Sequence, residues 1–363
     1  MLTTAGVGDR VRVRMTDLAA RHAEVAADVE ARVLDVLRSG VAIGGPVVAD
    51  AEAVAARWFG RAAAVGVNGG TDALIFALQA VGVRPGDEVI VPALSFFATA
   101  GAVCALGALP VVADVLPDDG TLDPDAARAA WTPRTRAVVP VHLFGATAAR
   151  PDLELPVVDD AAQAIGADPP AAYGALTAVS AYPTKTWGAS GDAGFVVGDD
   201  PALLDRVRRL GNHGATGPHH HEHVDGVVGR NSRLDAVQAA VLLGHAPRLA
   251  ARVARRRAIA AQYDRALPPA FRPLARGPGH PVHHYVVRVP DRARVRAALA
   301  AAGVETAVYY PRPLQRQPAL AGRARGETPV ADALCASLLA LPVHDALDDD
   351  AVAHVLAACA EVA

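Results

Sequence analysis

Apolar positions recur at helical spacing over residues 16–38, at Leu18, Val25, Val29, Val33, Leu34 and Leu37, and the run stops at Gly40. A Gly44-Gly45-Pro46 turn follows, then a second amphipathic helix to about Phe59. Beyond it the period changes. Short runs at Ala63–Val67, Glu88–Val91, Pro110–Val115, Ala137–Val141, Pro156–Asp159, Ala178–Ala181 and Gly194–Val197 read as strands. Helical stretches separate many of them, among them Thr71–Ala80, Ala98–Leu106 and Pro124–Ala130. The last has Asp123 as its N-cap and Pro124 at the first helical position. This alternation predicts an α/β fold with a mostly parallel central sheet covered on both faces. An arginine-rich helix over 234–266 precedes a change of character: a strand at Tyr285–Val289 and helices at Asp291–Ala302 and Asp350–Ala360. We expect N-terminal helices and a large α/β domain over 1–245 and a smaller C-terminal α+β domain over 246–363. The boundary falls near 245–270.

Composition narrows the class. The 52% hydrophobic share is inflated by alanine, and no run of about 20 apolar residues exists to span a membrane. Asp17, Arg21, His22 and Glu24 break the N-terminal region, which does not read as a secretory signal. Cys104, Cys335 and Cys359 are scattered and form no CxxC pair, as in a reducing compartment. A net charge of −3 without a basic block argues against a nucleic-acid surface. The expectation is a soluble, cytoplasmic protein that engages neither nucleic acid nor membrane.

The 35 basic residues are 34 arginines and a single lysine, Lys185. Arginine stays protonated, whereas a lysine amine can lose its proton and attack a carbonyl. A surface lysine left by chance is the alternative, and the surroundings decide between them. Lys185 lies in Ser180-Ala-Tyr-Pro-Thr-Lys185-Thr-Trp-Gly-Ala-Ser-Gly191, a loop between two predicted strands. Upstream, Pro156-Val-Val-Asp159-Asp160-Ala-Ala-Gln163 ends an apolar run in two carboxylates, placing Asp160 at a strand exit. A carboxylate that keeps a pyridine nitrogen protonated, with a lysine forming a Schiff base, is the protein half of pyridoxal phosphate chemistry. Val65-Gly-Val-Asn-Gly69-Gly70-Thr71 offers a strand, a glycine turn and a helix start whose free amides suit a phosphate. Ser180 could add a hydroxyl. Phe96 could supply a flat apolar face, although taken alone it reads as ordinary core.

These residues belong to a longer set of motifs: Asn68-Gly-Gly-Thr-Asp-Ala-Leu74, Pro85-Gly-Asp-Glu-Val-Ile90, Ser95-Phe-Phe-Ala-Thr-Ala100 and Pro140-Val-His-Leu-Phe-Gly145. Asp160-Ala-Ala-Gln163, Tyr182-Pro-Thr-Lys185, Asn212-His-Gly214, the 229–240 segment beginning Gly-Arg-Asn-Ser-Arg, Tyr309-Tyr-Pro311 and Leu341-Pro342 continue it. From about residue 13 onward the chain resembles the DegT/DnrJ/EryC1/StrS sugar aminotransferases. That resemblance implies the type I pyridoxal-phosphate-dependent aminotransferase fold. It implies an amino transfer from glutamate or glutamine to a keto sugar, nucleotide-linked by preference. It assigns Lys185 the Schiff base and the proton transfer, Asp160 the pyridinium nitrogen, and Gln163 the ring's phenolic oxygen. Phe96 stacks on the ring, and Gly70, Thr71 and Ser180 hold the phosphate. Asn231 reaches the phosphate of the neighbouring subunit in a homodimer.

Arg233 is a candidate for a carboxylate or phosphate contact. His213, the 215–228 loop, Tyr309, Tyr310 and Arg312 are candidates for the acceptor. Two departures stand out: relatives often have serine at Gly69 and glutamate at Asp159, and we expect Asp159 to face away from the ring. A cyclitol or aminoshikimate-type ketone is an alternative acceptor, and a cofactor-binding regulator without turnover an alternative class. Relatives that dehydrate sugars carry histidine at the lysine position, which argues against dehydration here. His219-His220-His221-Glu222-His223 lacks a metal-binding spacing and reads as a loop, so we expect no metal. Gly6-Val-Gly8 is no dinucleotide fingerprint.

Overall fold

The computed structural model describes residues 12–216 and 228–363. Gly6-Val-Gly8, the histidine-rich stretch 219–223 and most of the 215–228 loop lie outside the described residues.

The N-terminal periodic run is two helices, α1 (Leu18–Ala23) and α2 (Ala26–Ser39), and not one. Val25 leaves helical geometry between them (φ −129°, ψ 13°) and packs with Val29 and Val241. Gly40 ends α2 in the left-handed region, as a C-cap glycine does. After α3 (Gly45–Trp58) come β1 (Ala63–Val67), α4 (Gly70–Ala80), β2 (Glu88–Pro92), α5 (Ala98–Ala105), β3 (Leu109–Ala113), α6 (Pro124–Ala129) and β4 (Thr135–Val138). Asp123 caps α6 by accepting from the Asp125 amide. Next are β5 (Val158–Asp160), β6 (Leu176–Ser180), β7 (Gly194–Gly198), α7 (Pro201–Leu210) and α8 (Ala236–His245). The expected single helix over 234–266 is interrupted at Pro247, which has no amide hydrogen to give, and resumes as α9 (Leu249–Ala266). The C-terminal part adds β8 (Arg272–Pro273), β9 (Tyr285–Arg288), α10 (Arg292–Ala301), α11 (Pro329–Ser337), β10 (Leu338–Leu341) and α12 (Asp349–Val362).

β3, β2 and β4 pair in parallel, and so do β5 and β6. Parallel bridges Val138–Val157 and Val141–Asp160 join the two groups, giving the order β3-β2-β4-β5-β6-β7-β1. β7 runs against both its neighbours. The reason is local: a parallel return needs a crossover, and residues 181–193 contain no helix to make one. The exits of β1, β5 and β6 therefore lie along one edge of the sheet, where open α/β sheets bind ligands.

Both faces of the sheet are buried, as expected. Val65, Val67, Ala178 and Val196 belong to one apolar cluster, while Ala64, Val179, Phe195 and Val197 belong to another under α3 and α8. A third cluster packs α9, α10 and α12 against β9 and β10. Among the described residues no helix is long and apolar enough to cross a membrane.

Candidate active site

At the shared edge lies a cavity of about 730 Å³, lined by Gly70, Thr71, Phe96, Asp160, Gln163, Ser180, Lys185, Tyr309 and Tyr310, among others. Its size is that of a small-molecule site. The first turn of α4 opens onto it. Gly69, the N-cap, offers no side-chain hydrogen bond, so the leading amides keep their donors free. The backbone is crowded here. A Cβ on Gly70 would stand 2.7 Å from the Ser180 Cβ, and one on Gly194 would stand 2.5 Å from the Gly69 carbonyl carbon. The Ser180–Gly194 and Val67–Gly194 register brings these turns together. Gly69 itself is extended, and a Cβ there would meet nothing within 4 Å.

Asp160 ends β5 and is 6% exposed. Its Oδ2 accepts from Thr99 Oγ1 (2.8 Å) and its Oδ1 from the Ala162 amide (3.2 Å). Since Thr99 spends its hydrogen on Asp160, the Ser95 hydroxyl 2.8 Å away donates to Thr99. Burial raises the Asp160 pKa, and the Thr99 and Ala162 bonds and the Lys185 charge oppose that rise. The adjacent Asp159 points the other way along the pleat. It is fully buried and accepts from the Gly174 amide (2.7 Å) and Thr177 Oγ1 (2.8 Å), with His142 Nε2 3.7 Å from its other oxygen.

Lys185 sits in the β6–β7 loop with its amide on Tyr182 O (2.8 Å). Burial pulls its amine down to about 8, against the pull of Asp160. Gln163 is oriented unambiguously: Oε1 accepts from the Phe144 amide (2.6 Å), leaving Nε2 to donate, here to Tyr310 Oη (3.3 Å). Phe96 is 59% exposed, its ring 6.2 Å from that of Tyr310. Tyr309 stacks on the half-buried His284 at 4.2 Å.

Four candidates lie outside this protomer's cavity. Asn231 is exposed and bridged to Asn212, Arg233 donates to Asn212 Oδ1 (2.7 Å), and His213 and Arg312 are exposed. The sequence reading missed Thr99, although it lies in the Ser95–Ala100 motif at the start of α5. It also missed Arg21, whose Nη1 donates to Lys185 O (2.7 Å), and Thr16, His284 and Glu305, which line the cavity far from Lys185 in the chain.

The model of the DegT/DnrJ/EryC1/StrS aminotransferase family matches residues 24–360. The chain belongs to that family. Over 367 residues this aminotransferase is 40% identical to dTDP-3-amino-3,4,6-trideoxy-alpha-D-glucose transaminase of Streptomyces venezuelae, covering 96% of both chains. It is 36% identical to UDP-2-acetamido-2-deoxy-3-oxo-D-glucuronate aminotransferase of Pseudomonas aeruginosa, over 95% of this chain and 99% of that one. Its fold superposes on S. venezuelae DesV in complex with a ketimine intermediate with a TM-score of 0.89, at 38% identity, covering 97% of this chain and 98% of the other. The fold is thus the type I aminotransferase fold, and the enzyme is pyridoxal-phosphate-dependent. The site fits that cofactor. It provides an amine held near neutrality, a buried carboxylate without a full cationic partner, an uncapped helix start and an exposed aromatic face.

Proposed function

We propose that this aminotransferase moves an amino group from glutamate or glutamine to a keto sugar carried on a nucleotide, and works as a cytoplasmic homodimer. The observation that carries the reading is the convergence of Lys185 and Asp160 in one cavity with the open start of α4. The S. venezuelae and P. aeruginosa relatives, a dTDP-sugar and a UDP-sugar aminotransferase by name, support the acceptor class.

When bound, pyridoxal phosphate supplies an electron sink for the carbon that loses its proton. Lys185 anchors the cofactor and then carries that proton. An amine held near 8 has its neutral form available close to working pH, which suits a general base. Asp160, buried and fixed by Thr99 and Ala162, holds the ring nitrogen protonated. Gln163 Nε2 donates to the phenolic oxygen, because its Oε1 is already committed to Phe144. Phe96 covers one ring face, and the Gly70 and Thr71 amides with the Ser180 hydroxyl hold the phosphate.

Tyr309 and Tyr310 face the acceptor. Asp235, four residues after Asn231, bridges to Ile43, and Ile43 (47% exposed) and Leu37 of α2 (64% exposed) are exposed apolar residues. A second copy covering that patch brings Asn231 to its phosphate and leaves His213 and Arg233 on the same surface. Arg312, exposed two residues beyond Tyr310, is the remaining acceptor candidate.

The test supplies cofactor, glutamate or glutamine, and a panel of dTDP- and UDP-linked keto sugars beside cyclitol ketones. Turnover of the nucleotide sugars is expected, and turnover of only free ketones would overturn the acceptor class. Lys185→Arg should abolish turnover together with the visible band of the lysine-bound cofactor.

A further inference from the structure

We infer that Arg21 and Asp345 are a positioning pair for Lys185, an inference that rests on Lys185 being the cofactor-binding lysine. Arg21 projects from α1, almost fully buried. Its Nη1 donates to the carbonyls of Lys185 (2.7 Å) and Pro183 (3.3 Å), and its Nη2 to Asp345 Oδ1 (3.0 Å). Asp345, four residues past β10, also faces Arg252 Nε (3.3 Å) and Arg256 Nη2 (3.8 Å). Burial pushes its carboxyl up, but Arg21, Arg256 and Arg252 outweigh that and hold it below the usual carboxylate range. One ionised carboxylate is therefore shared by three buried guanidinium groups.

The arrangement acts on the lysine through its backbone. The amide of Lys185 is held by Tyr182 O and its carbonyl by Arg21, so both sides of the residue are fixed. The β6–β7 loop has no helix of its own to stiffen it, and the carbonyls of residues 183 and 185 would otherwise be left half-buried and under-satisfied. Arg256 extends the network to the opposite wall, where its Nη1 donates to the carbonyls of His283 (3.1 Å) and Val343 (2.9 Å). Neither Arg21 nor Asp345 lines the cavity, so neither touches substrate. Their effect is on where the Lys185 amine stands, and a displacement of about 1 Å can slow a reaction on the order of 10²-fold.

The test compares cofactor-loaded wild type with Arg21→Gln, Arg21→Lys and Asp345→Asn. It reads kcat, KM for each substrate, the pH midpoint of the visible cofactor band, and Tm. Arg21→Gln should keep the band, shift its midpoint and lose about tenfold or more in kcat, with KM changed by less than about twofold. Arg21→Lys should recover part of that loss, since one donor and the charge against Asp345 remain. Asp345→Asn should fall in the same direction by less. Unchanged kcat and midpoint in folded Arg21→Gln, or a drop in Tm alone, would overturn the inference. If Arg21→Gln does not fold, Arg21→Lys decides: intermediate values support the pair and wild-type values overturn it. A visible band that survives Lys185→Arg would instead overturn the assignment of the lysine itself.

Discussion

At the lysine end of the cavity the polar groups come from strand exits and the turns beside them: Thr71 after β1, Asp160 at the end of β5, Ser180 at the end of β6 and Lys185 after it. At the tyrosine end Thr16, His284, Glu305 and Tyr309 arrive from separate stretches of chain and meet only through tertiary packing. The first end is a property of sheet topology, since parallel strands deliver their exits to one edge whatever their side chains. The second depends on how α1, β9 and the segment after α10 settle against that edge. A sheet edge can stay constant while its opposite wall is rebuilt, which suits a cofactor site facing a variable acceptor.

Substitutions sharpen this contrast. Asp160→Asn strikes the lysine end hardest. It should cost on the order of 10²–10³-fold in kcat, the size of removing one preorganised charge-stabilising group, and should shift the cofactor spectrum. A variant with wild-type kcat would break the reading of that end. Gly70→Ala forces a methyl onto Ser180, and overpacking of about 1–3 kcal/mol should appear as weaker cofactor retention on dialysis. Unchanged retention would mean that the turn yields easily. Tyr309→Phe is the mildest. Loss of one hydroxyl contact, about 0.5–1.5 kcal/mol, should raise the acceptor KM while leaving donor KM and the cofactor band untouched. A changed band would show that the two ends are not separable.

The same contrast explains what could be read in the chain. β1, β2 and β5–β7 are short apolar runs bounded by turn residues, so their positions follow from local pattern, whereas the pairing of β1 with β7 is a long-range contact that no local pattern encodes. Asp160 and Lys185 were legible because each is the chemical odd residue at such an exit. The reversal of β7 follows from the missing helix in 181–193, a signal that was present and went unused. α7 was also signalled, by Asp200-Pro201, the same cap-and-proline pair that located α6. β10 was not, because Leu338–Leu341 follows α11 without a turn residue and reads equally as more helix. Arg21 could not be picked out among 34 arginines. What distinguishes it is a partner 324 positions away, and no local period encodes that.

A chain with one lysine carries its own address label. Because Lys185 is the sole side-chain amine in these 363 residues and stands inside the cavity, borohydride reduction of the bound cofactor would tag a single peptide. A protease specific for lysine could cut this chain in one place, at the bond after Lys185, and only when the loop is undone. Resistance to such a protease thus becomes a gauge of how firmly the loop is held.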